Sequence, residues 1–375
     1  LLADGRVFEE HSADVHAEKG MVCVDCHRAS EVMGDGTIHA HERDAIKIAC
    51  ADCHRAGKTA AKQFGQLDPE TQQIVAIRQL NRPGRKFLVC ESGTAAYPNA
   101  FLDDSGHPAL TLTNTGAVLS PKPMAEVCSQ TIHQRLECSA CHTPWAPQCI
   151  SCHTSFDRNV HGWDHLAGKF VDGSWQEDPA GYLSDAPALG VERISTPGGK
   201  TSEGITTFIP GMILHLDISR GSAQTQPGFR RLFAPASAHT TATHARDCRS
   251  CHSNPTALGY GRGQLKYAVT NRTAEWRFTA QYPASAEDGL PSDAWIRFLQ
   301  EPRANSVTRK GARPLSLDEQ RRILLVGACL ACHNENDRRI SRAFADFKHY
   351  RSYLSPKCVL PPWSHQPSQG EGQTP

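Results

Sequence analysis

The sequence has no long hydrophobic run and no excess of charge of either sign. Nowhere do eighteen apolar residues follow one another, so no transmembrane helix is predicted. The 40 Lys and Arg residues balance 39 Asp and Glu residues and leave a formal charge of +1. Without a basic stripe to neutralise phosphates, nucleic-acid binding is not predicted.

The first ten residues, LLADGRVFEE, lack the basic segment and the apolar stretch of a secretory signal peptide. We expect that such a peptide has already been removed from this sequence.

Cysteine, in contrast, is abundant and patterned. Twelve of the 15 cysteines fall in six copies of C-x-x-C-H, whereas random placement predicts roughly 0.03 copies. The cysteine pairs are Cys23 and Cys26, Cys50 and Cys53, Cys138 and Cys141, Cys149 and Cys152, Cys248 and Cys251, and Cys329 and Cys332. The histidines that follow them are His27, His54, His142, His153, His252 and His333.

Three kinds of chemistry use closely spaced cysteines. A structural zinc site needs two cysteine pairs, or one cysteine pair and two histidines, around one ion. Zinc binding gives no reason why a histidine should follow the second cysteine of each pair. Disulfides within the pairs would leave the six histidines unexplained. Covalent haem explains both, because cysteines three apart on a helical turn bond the two vinyl groups and the next imidazole reaches the iron. The motifs predict six covalently attached haem c groups.

The six motifs resemble those of the multihaem c-type cytochromes over residues 16 to 333. The resemblance implies a fold that is mostly irregular loop, with short α-helices and a few small β-hairpins wrapped around a chain of haems. It also implies a periplasmic or extracellular location, since bacterial haem c is attached outside the cytoplasmic membrane.

The uneven spacing of the motifs predicts four parts. These are an N-terminal tetrahaem part at residues 1–165, a haem-poor insertion with short strands at 166–238, a C-terminal dihaem part with helices at 239–358, and a flexible tail at 359–375.

Four segments have a clear local pattern. HPALTLTNTGAVLS, at 107–120, predicts a hairpin, and GITTFIPGMILHLDIS, at 204–219, predicts two short strands around a turn at Pro210–Gly211. Ser316 and Glu319 form a capping box that starts a helix running into the sixth motif. A second amphipathic helix is predicted from the spacing of Ile340, Phe344, Phe347 and Tyr350.

Thirteen histidines lie outside the motifs and compete for the second axial position of each iron. A histidine recurs four to nine residues ahead of a motif. In the multihaem c-type cytochromes such a histidine usually ligates a neighbouring haem. The predicted distal ligands are His16, His41, His133, His161, His239 and His244, with His165 and His11 as the nearest alternatives. The surplus favours bis-histidine ligation throughout, which suits rapid electron transfer because the iron geometry changes little.

Two further expectations concern neighbouring groups. Only six residues separate His142 from Cys149, so haems three and four are expected to be the closest pair. Of the three cysteines outside the motifs, Cys90 and Cys128 are the predicted disulfide, because the predicted hairpin lies between them and Cys358 is near the C-terminus. A catalytic thiolate among the three is the alternative.

Two functions are compatible with these motifs. The first is an electron conduit that relays single electrons through six mainly bis-histidine haems, with redox proteins, copies of itself in a filament, an outer-membrane conduit or an extracellular acceptor as partners. The second is an oxidoreductase acting on a small nitrogen or sulfur oxyanion at one open haem. The lysine variant of the motif, C-x-x-C-K, which marks the catalytic haem of many nitrite reductases, is absent. Anion ligands for such an enzyme would come from the insertion, namely Arg193, His215, Arg220, Arg230 or Arg231.

Overall fold

The computed structural model of the chain describes residues 5, 8–55, 59–90, 93, 95–129, 131–195, 201–216, 228–303 and 310–365. The chain separates into two compact units. The first unit comprises residues 12–134 and 194–202, and the second comprises 1–11, 135–193 and 203–375. The four-part division predicted from motif spacing stays a prediction. Within the described part, every helix is too short or too polar to span a membrane, which agrees with the sequence.

The first unit consists of short helices and one five-stranded antiparallel sheet. Its helices are α1 (Val15–Glu18), α2 (Cys23–Cys26), α3 (Ala29–Val32), α4 (Glu42–Ala45), α5 (Cys50–His54) and α6 (Pro69–Ile77). Its strands are β1 (Ala61–Gln63), β2 (Lys86–Val89), β3 (Ala96–Leu102), β4 (Pro108–Thr111) and β5 (Val118–Leu119), which pair in chain order.

Strand β2 shows why this sheet forms. Phe87 and Val89 pack on one face with Val75 of α6, whereas Leu88 packs on the other face with Leu110. Since both faces are covered, the strand is a continuous apolar run rather than an alternating one. The face opposite α6 also contacts Met21, Ile48 and Cys53, which lie beside or within the first two motifs.

The second unit contains three sheets and five helices among its described residues. Its helices are α7 (Cys138–His142), α8 (Arg249–His252), α9 (Leu317–Leu330), α10 (Arg338–Ala345) and α11 (Phe347–Tyr350). Its strands are β6 (Ala146–Asp164), β7 (Lys169–Asp185), β8 (Ala188–Ser195), β9 (Thr201–Leu216), β10 (Gly228–Pro235), β11 (Gly263–Thr270), β12 (Thr273–Ala280) and β13 (Ala312–Pro314). Strands β6 and β7 form one hairpin, β11 and β12 form another, and the remaining four are ordered β10-β9-β8-β13.

Aromatic side chains form the core of the second unit. Phe233 stacks on Trp295 with ring centroids 4.8 Å apart, and Phe208 packs against the same indole. Trp276 of β12 donates from Nε1 to the carbonyl of Leu324, 3.1 Å away, which ties this hairpin to α9. The core is therefore made of side chains, and α9 lies against it.

The predicted fold class is wrong. The structure has antiparallel sheets of five, four, two and two strands instead of loop with a few small hairpins. The resemblance to the multihaem cytochromes implies loop for the segments between the motifs. Those segments instead bury their own apolar side chains, as Phe87 and Phe208 do with no measurable exposure.

The local predictions met different outcomes. The hairpin at 107–120 is confirmed by β4 and β5, and the helix capped by Ser316 is confirmed by α9, which reaches Cys329.

The prediction of a turn at Pro210–Gly211 is wrong, because strand β9 continues through these two residues. Pro210 is paired with Phe233 of β10, at the point where the pairing register of β9 and β10 shifts. Such an irregularity in the hydrogen-bond ladder accommodates proline, which has no backbone N–H to donate. The predicted second helix is divided at Asp346 into α10 and α11. Most of the predicted tail, from residue 366 on, lies outside the described residues.

The cap of α9 generates a stability prediction. Burial opposes ionisation of Glu319, but bonds from Arg313 and from the Ser316 N–H outweigh it and lower the pKa of this carboxyl from 4.5 to about 2. Replacement of Glu319 by Gln should reduce the free energy of unfolding at neutral pH by about 1–3 kcal/mol, since it removes charge-assisted hydrogen bonds. A carboxyl whose folded pKa is depressed stabilises the fold above its unfolded pKa and loses that effect as the pH falls. The difference between variant and parent should therefore shrink between about pH 5 and pH 2.

The measurement is thermal or denaturant unfolding of both proteins across this pH range. Asp318→Asn, in the same helical turn but 55% exposed, is the matched control and should have a smaller effect. A Glu319→Gln variant with unchanged stability at pH 7 would contradict the prediction.

Candidate haem-binding sites

Five of the six motifs lie on a helical turn. Helices α2, α5 and α7 each begin at the first cysteine of a motif, Cys248 caps α8, and Cys329 lies in the last turn of α9. In the first, fifth and sixth motifs the histidine N–H donates to the carbonyl of the first cysteine. Residues three apart on one turn are about 5–6 Å apart at Cβ. The turn therefore presents both thiols on one side, as two-point attachment requires.

The fourth motif departs from this arrangement. Residues 149–153 lie within β6, where Cys149 is paired with Tyr182 of β7. Three residues advance about 10 Å in a strand but about 4.5 Å in a helix. The expectation of a helical turn in every motif is wrong here, because the ladder with β7 holds the backbone extended. Cys149 and Cys152 are therefore not on one helical turn, and haem attachment at this motif stays a prediction.

Three motif histidines donate from Nδ1 to a distant backbone carbonyl. The contacts are His54 to Lys122 at 2.7 Å, His142 to Ala242 at 3.0 Å and His252 to Ile323 at 2.9 Å. A carbonyl oxygen only accepts, so Nδ1 carries the proton and Nε2 carries the lone pair. Histidines that bind metals commonly have such an acceptor at the other nitrogen. These rings are thus oriented and protonated as iron ligands require.

Two other motif histidines face carboxylates. His27 Nδ1 lies 3.1 Å from Oε2 of Glu31, whose side chain is only 1% exposed. His333 Nδ1 lies 3.9 Å from Asp337, which is beyond hydrogen-bond distance. The side chain of His153 lies outside the described residues.

His16 is the predicted distal ligand with the most informative position. Asp14 caps α1 and accepts from His16 Nδ1 at 2.9 Å, the arrangement found for the motif histidines. The His16 ring centroid lies 6.1 Å from that of His54, at an interplanar angle of 63°. Two metal–nitrogen bonds of about 2.0 Å, with about 1.1 Å from each nitrogen to its ring centre, need about 6.2 Å. The separation of the two ring centroids therefore matches that of two imidazoles on one metal ion.

The remaining distal candidates are less closely associated with a motif. His239 and His244 are exposed and flank Ala242, the residue that accepts from His142. His41 caps α4, and burial lowers the pKa of His133, which favours its neutral form. His161 lies 3.1 Å from Asp172 in the β6–β7 hairpin, and His165 is exposed in its turn. His11 packs on Trp145, three residues after His142, with ring centroids 4.7 Å apart.

Two buried carboxylates lie within motifs one and two and were not predicted as site residues. Asp25 and Asp52 precede the second cysteine of motifs one and two, and both are 4% exposed. Asp52 accepts from the Tyr97 hydroxyl at 2.6 Å, and Asp25 accepts from the Asn99 amide at 2.8 Å. Tyr97 and Asn99 are two apart in β3 and so face the same side of the sheet. One strand therefore holds both attachment turns. The signal in the sequence was the Asp, which the other four motifs lack.

Motifs five and six are also joined. Glu335, two residues after His333, accepts from the Cys248 N–H at 3.1 Å. The helix that carries motif six passes so close to α8 that a Cβ at Gly327 would overlap the carbonyl of His252. Arg246 donates from its N–H to the carbonyl of Cys141 at 2.9 Å, which adds motif three to the group. That haems three and four are the closest pair stays a prediction.

The three other cysteines lie in different surroundings. Cys90 is buried, and its sulfur accepts from the Ala95 N–H at 3.3 Å, whereas Cys128 is exposed. The structure does not join these two thiols, and their disulfide stays a prediction. Burial and the neighbouring Cys332 raise the pKa of the Cys358 thiol, which places Cys358 beside motif six. That proximity had no signal in the sequence.

One of the arginines considered as anion ligands is engaged in the fold. Arg231 is bonded to Asp288 at 2.9 Å and to the carbonyls of Pro291 and Ser292 at 2.8 Å, and its side chain is 7% exposed. Arg230 is exposed and donates to the carbonyl of Phe229. Arg220 and the side chain of His215 lie outside the described residues.

Comparison of the chain with protein-family models, with curated proteins and with solved structures found no match.

The close approach at Gly327 generates a prediction. Replacement of Gly327 by Ala should force α9 away from His252, and overpacking of this kind costs about 1–3 kcal/mol of stability. We expect a lower melting temperature for this variant. Gly65→Ala is the control, since nothing lies within 4 Å of a Cβ there. Equal behaviour of the two variants would show that the contact is not close in solution.

Proposed function

We propose that this protein is an electron-transfer hexahaem c-type cytochrome whose haems are mainly bis-histidine. The observation that carries the proposal is the orientation of the motif histidines. Four of them place Nδ1 within 3.1 Å of a carbonyl or carboxylate oxygen, although the acceptors come from different elements. Six C-x-x-C-H motifs supply the thiols to which haem would bond.

When bound, the haem groups supply one-electron chemistry between the ferric and ferrous states. The chain supplies the rest. The motif cysteines would hold the haem groups through thioether bonds, the motif histidines would bind iron through Nε2, and His16, whose ring centroid lies 6.1 Å from that of His54, would supply a second nitrogen. A second imidazole on the iron would leave no open position for a substrate, which favours relay of electrons over catalysis.

The chain also holds attachment turns in groups. Tyr97 and Asn99 keep the turns of motifs one and two beside one another, and α9 keeps motifs five and six together. Electron transfer by tunnelling depends on short, fixed distances between cofactors, so such groups support a conduit. We propose redox proteins, copies of itself, an outer-membrane conduit or an extracellular acceptor as partners, and a periplasmic or extracellular location.

The first prediction concerns haem number and spin state. The intact mass of the holoprotein should equal that of the chain plus six haems. The electron paramagnetic resonance spectrum of the air-oxidised protein should contain only low-spin ferric haem. A high-spin signal from one haem in six would instead favour the alternative enzyme on small oxyanions. A mass with fewer than six haems would contradict full occupancy of the motifs.

The second prediction concerns His16. Replacement of His16 by Ala should remove one axial nitrogen and convert one haem of the six to high spin, with an upward shift of its potential. The measurement is electron paramagnetic resonance with a redox titration of the holoprotein. His107→Ala is the matched control, because His107 is exposed at the start of the β4–β5 hairpin. A fully low-spin His16→Ala spectrum would remove His16 from the ligand set.

A further inference from the structure

Two buried carboxylates, Asp25 and Glu31, lie at motif one, whereas motif two has one, Asp52, in its attachment turn. Asp25 is 4% exposed and accepts bonds from the N–H groups of Val22 and Thr113 and from the side chain of Asn99, at 2.8–2.9 Å. Bonds from several donors therefore hold this carboxylate inside the attachment turn, between the two cysteines.

A second buried carboxylate lies at the proximal histidine of the same motif. Glu31 accepts from His27 Nδ1 at 3.1 Å and from the Lys47 N–H at 3.0 Å. His54, His142 and His252 face neutral carbonyls instead, and the carboxylate near His333 is 3.9 Å away and 20% exposed. An anionic acceptor makes an imidazole a stronger donor to its metal than a carbonyl does. Among the described motif histidines, His27 therefore has the strongest anionic hydrogen-bond acceptor at Nδ1.

We propose that the haem attached at Cys23, Cys26 and His27 has the lowest reduction potential of the set. This inference depends on the proposed haem function. Reduction of Fe(III) by one electron removes a positive charge from the iron, and buried carboxylates on both sides of the turn oppose that change. Electrons entering the protein settle on the other haems first, and motif one is the last to be reduced.

The test is a potentiometric titration of the holoprotein, with a chemical reductant as the electron source and haem absorbance as the readout. Glu31→Gln keeps an oxygen that accepts from His27 and Lys47 but removes the charge. We expect the lowest-potential step to move upward by about tenfold in its reduction equilibrium, which is about 59 mV for one electron. Asp25→Asn should move the same step in the same direction.

Glu42→Gln is the matched control, because it removes the same charge from an exposed site in α4 of the same unit. It should leave the lowest step in place. A shift confined to any higher step, or no shift in a Glu31→Gln protein with its full haem mass, would overturn the proposal. A protein without covalent haem would instead reject the proposed function.

The unaltered protein provides a test that needs no variant. During stepwise reduction, nuclear magnetic resonance signals of amides beside each haem change from paramagnetic to diamagnetic positions. The amides of Val24 and Asp25 should be the last to change. If amides beside another motif change last, motif one is not the low-potential site, even where the variants lose a haem.

Discussion

The hydrogen bond from a motif histidine to a distant backbone carbonyl is the constraint on which the proposed sites depend. Its two partners are 68 residues apart for His54, 100 for His142 and 71 for His252. The C-x-x-C-H turn is local and positions only the thiols. The orientation and tautomer of the imidazole are set by chain segments that arrive later. The proposed iron sites would therefore be complete only when the surrounding fold has formed, which would couple ligation to long-range structure.

The two units meet this requirement in different ways. In the first unit a sheet buried on both faces serves as the support, and polar groups of β3 reach the two attachment turns from one face. In the second unit the support is α9, which is anchored to the aromatic core through Trp276 and carries motif six itself. Both solutions make rigid elements, rather than loops, responsible for the spacing of the attachment turns.

Part of this arrangement could be predicted from the sequence. The motifs and the capping box at Ser316 are local patterns with local causes, and so is the hairpin at 107–120. Strand β2 is apolar on both faces and β9 contains Pro210, so alternation does not mark these two strands. Strand β12 does alternate between buried and exposed residues, so the signal for the β11–β12 hairpin was present in the sequence. The pairing of His16 with His54 is a contact between side chains 38 positions apart in the sequence, and spacing alone leaves several histidines equal. The acceptors Lys122, Ala242 and Ile323 had no signal at all, since any residue provides a backbone carbonyl.

The buried carboxylates connect geometry with redox chemistry. Asp25 is costly to bury unless donors compensate it, and those donors come from Asn99 and Thr113, which also fix the turn in space. The bonds that position the haem attachment are thus the bonds that keep the negative charge in place. In the proposed haem protein, a change that loosens the turn of motif one would therefore also expose the charge to water and weaken its effect on the iron. Motifs three to six have Ala or Ser at this position and lack such a carboxylate.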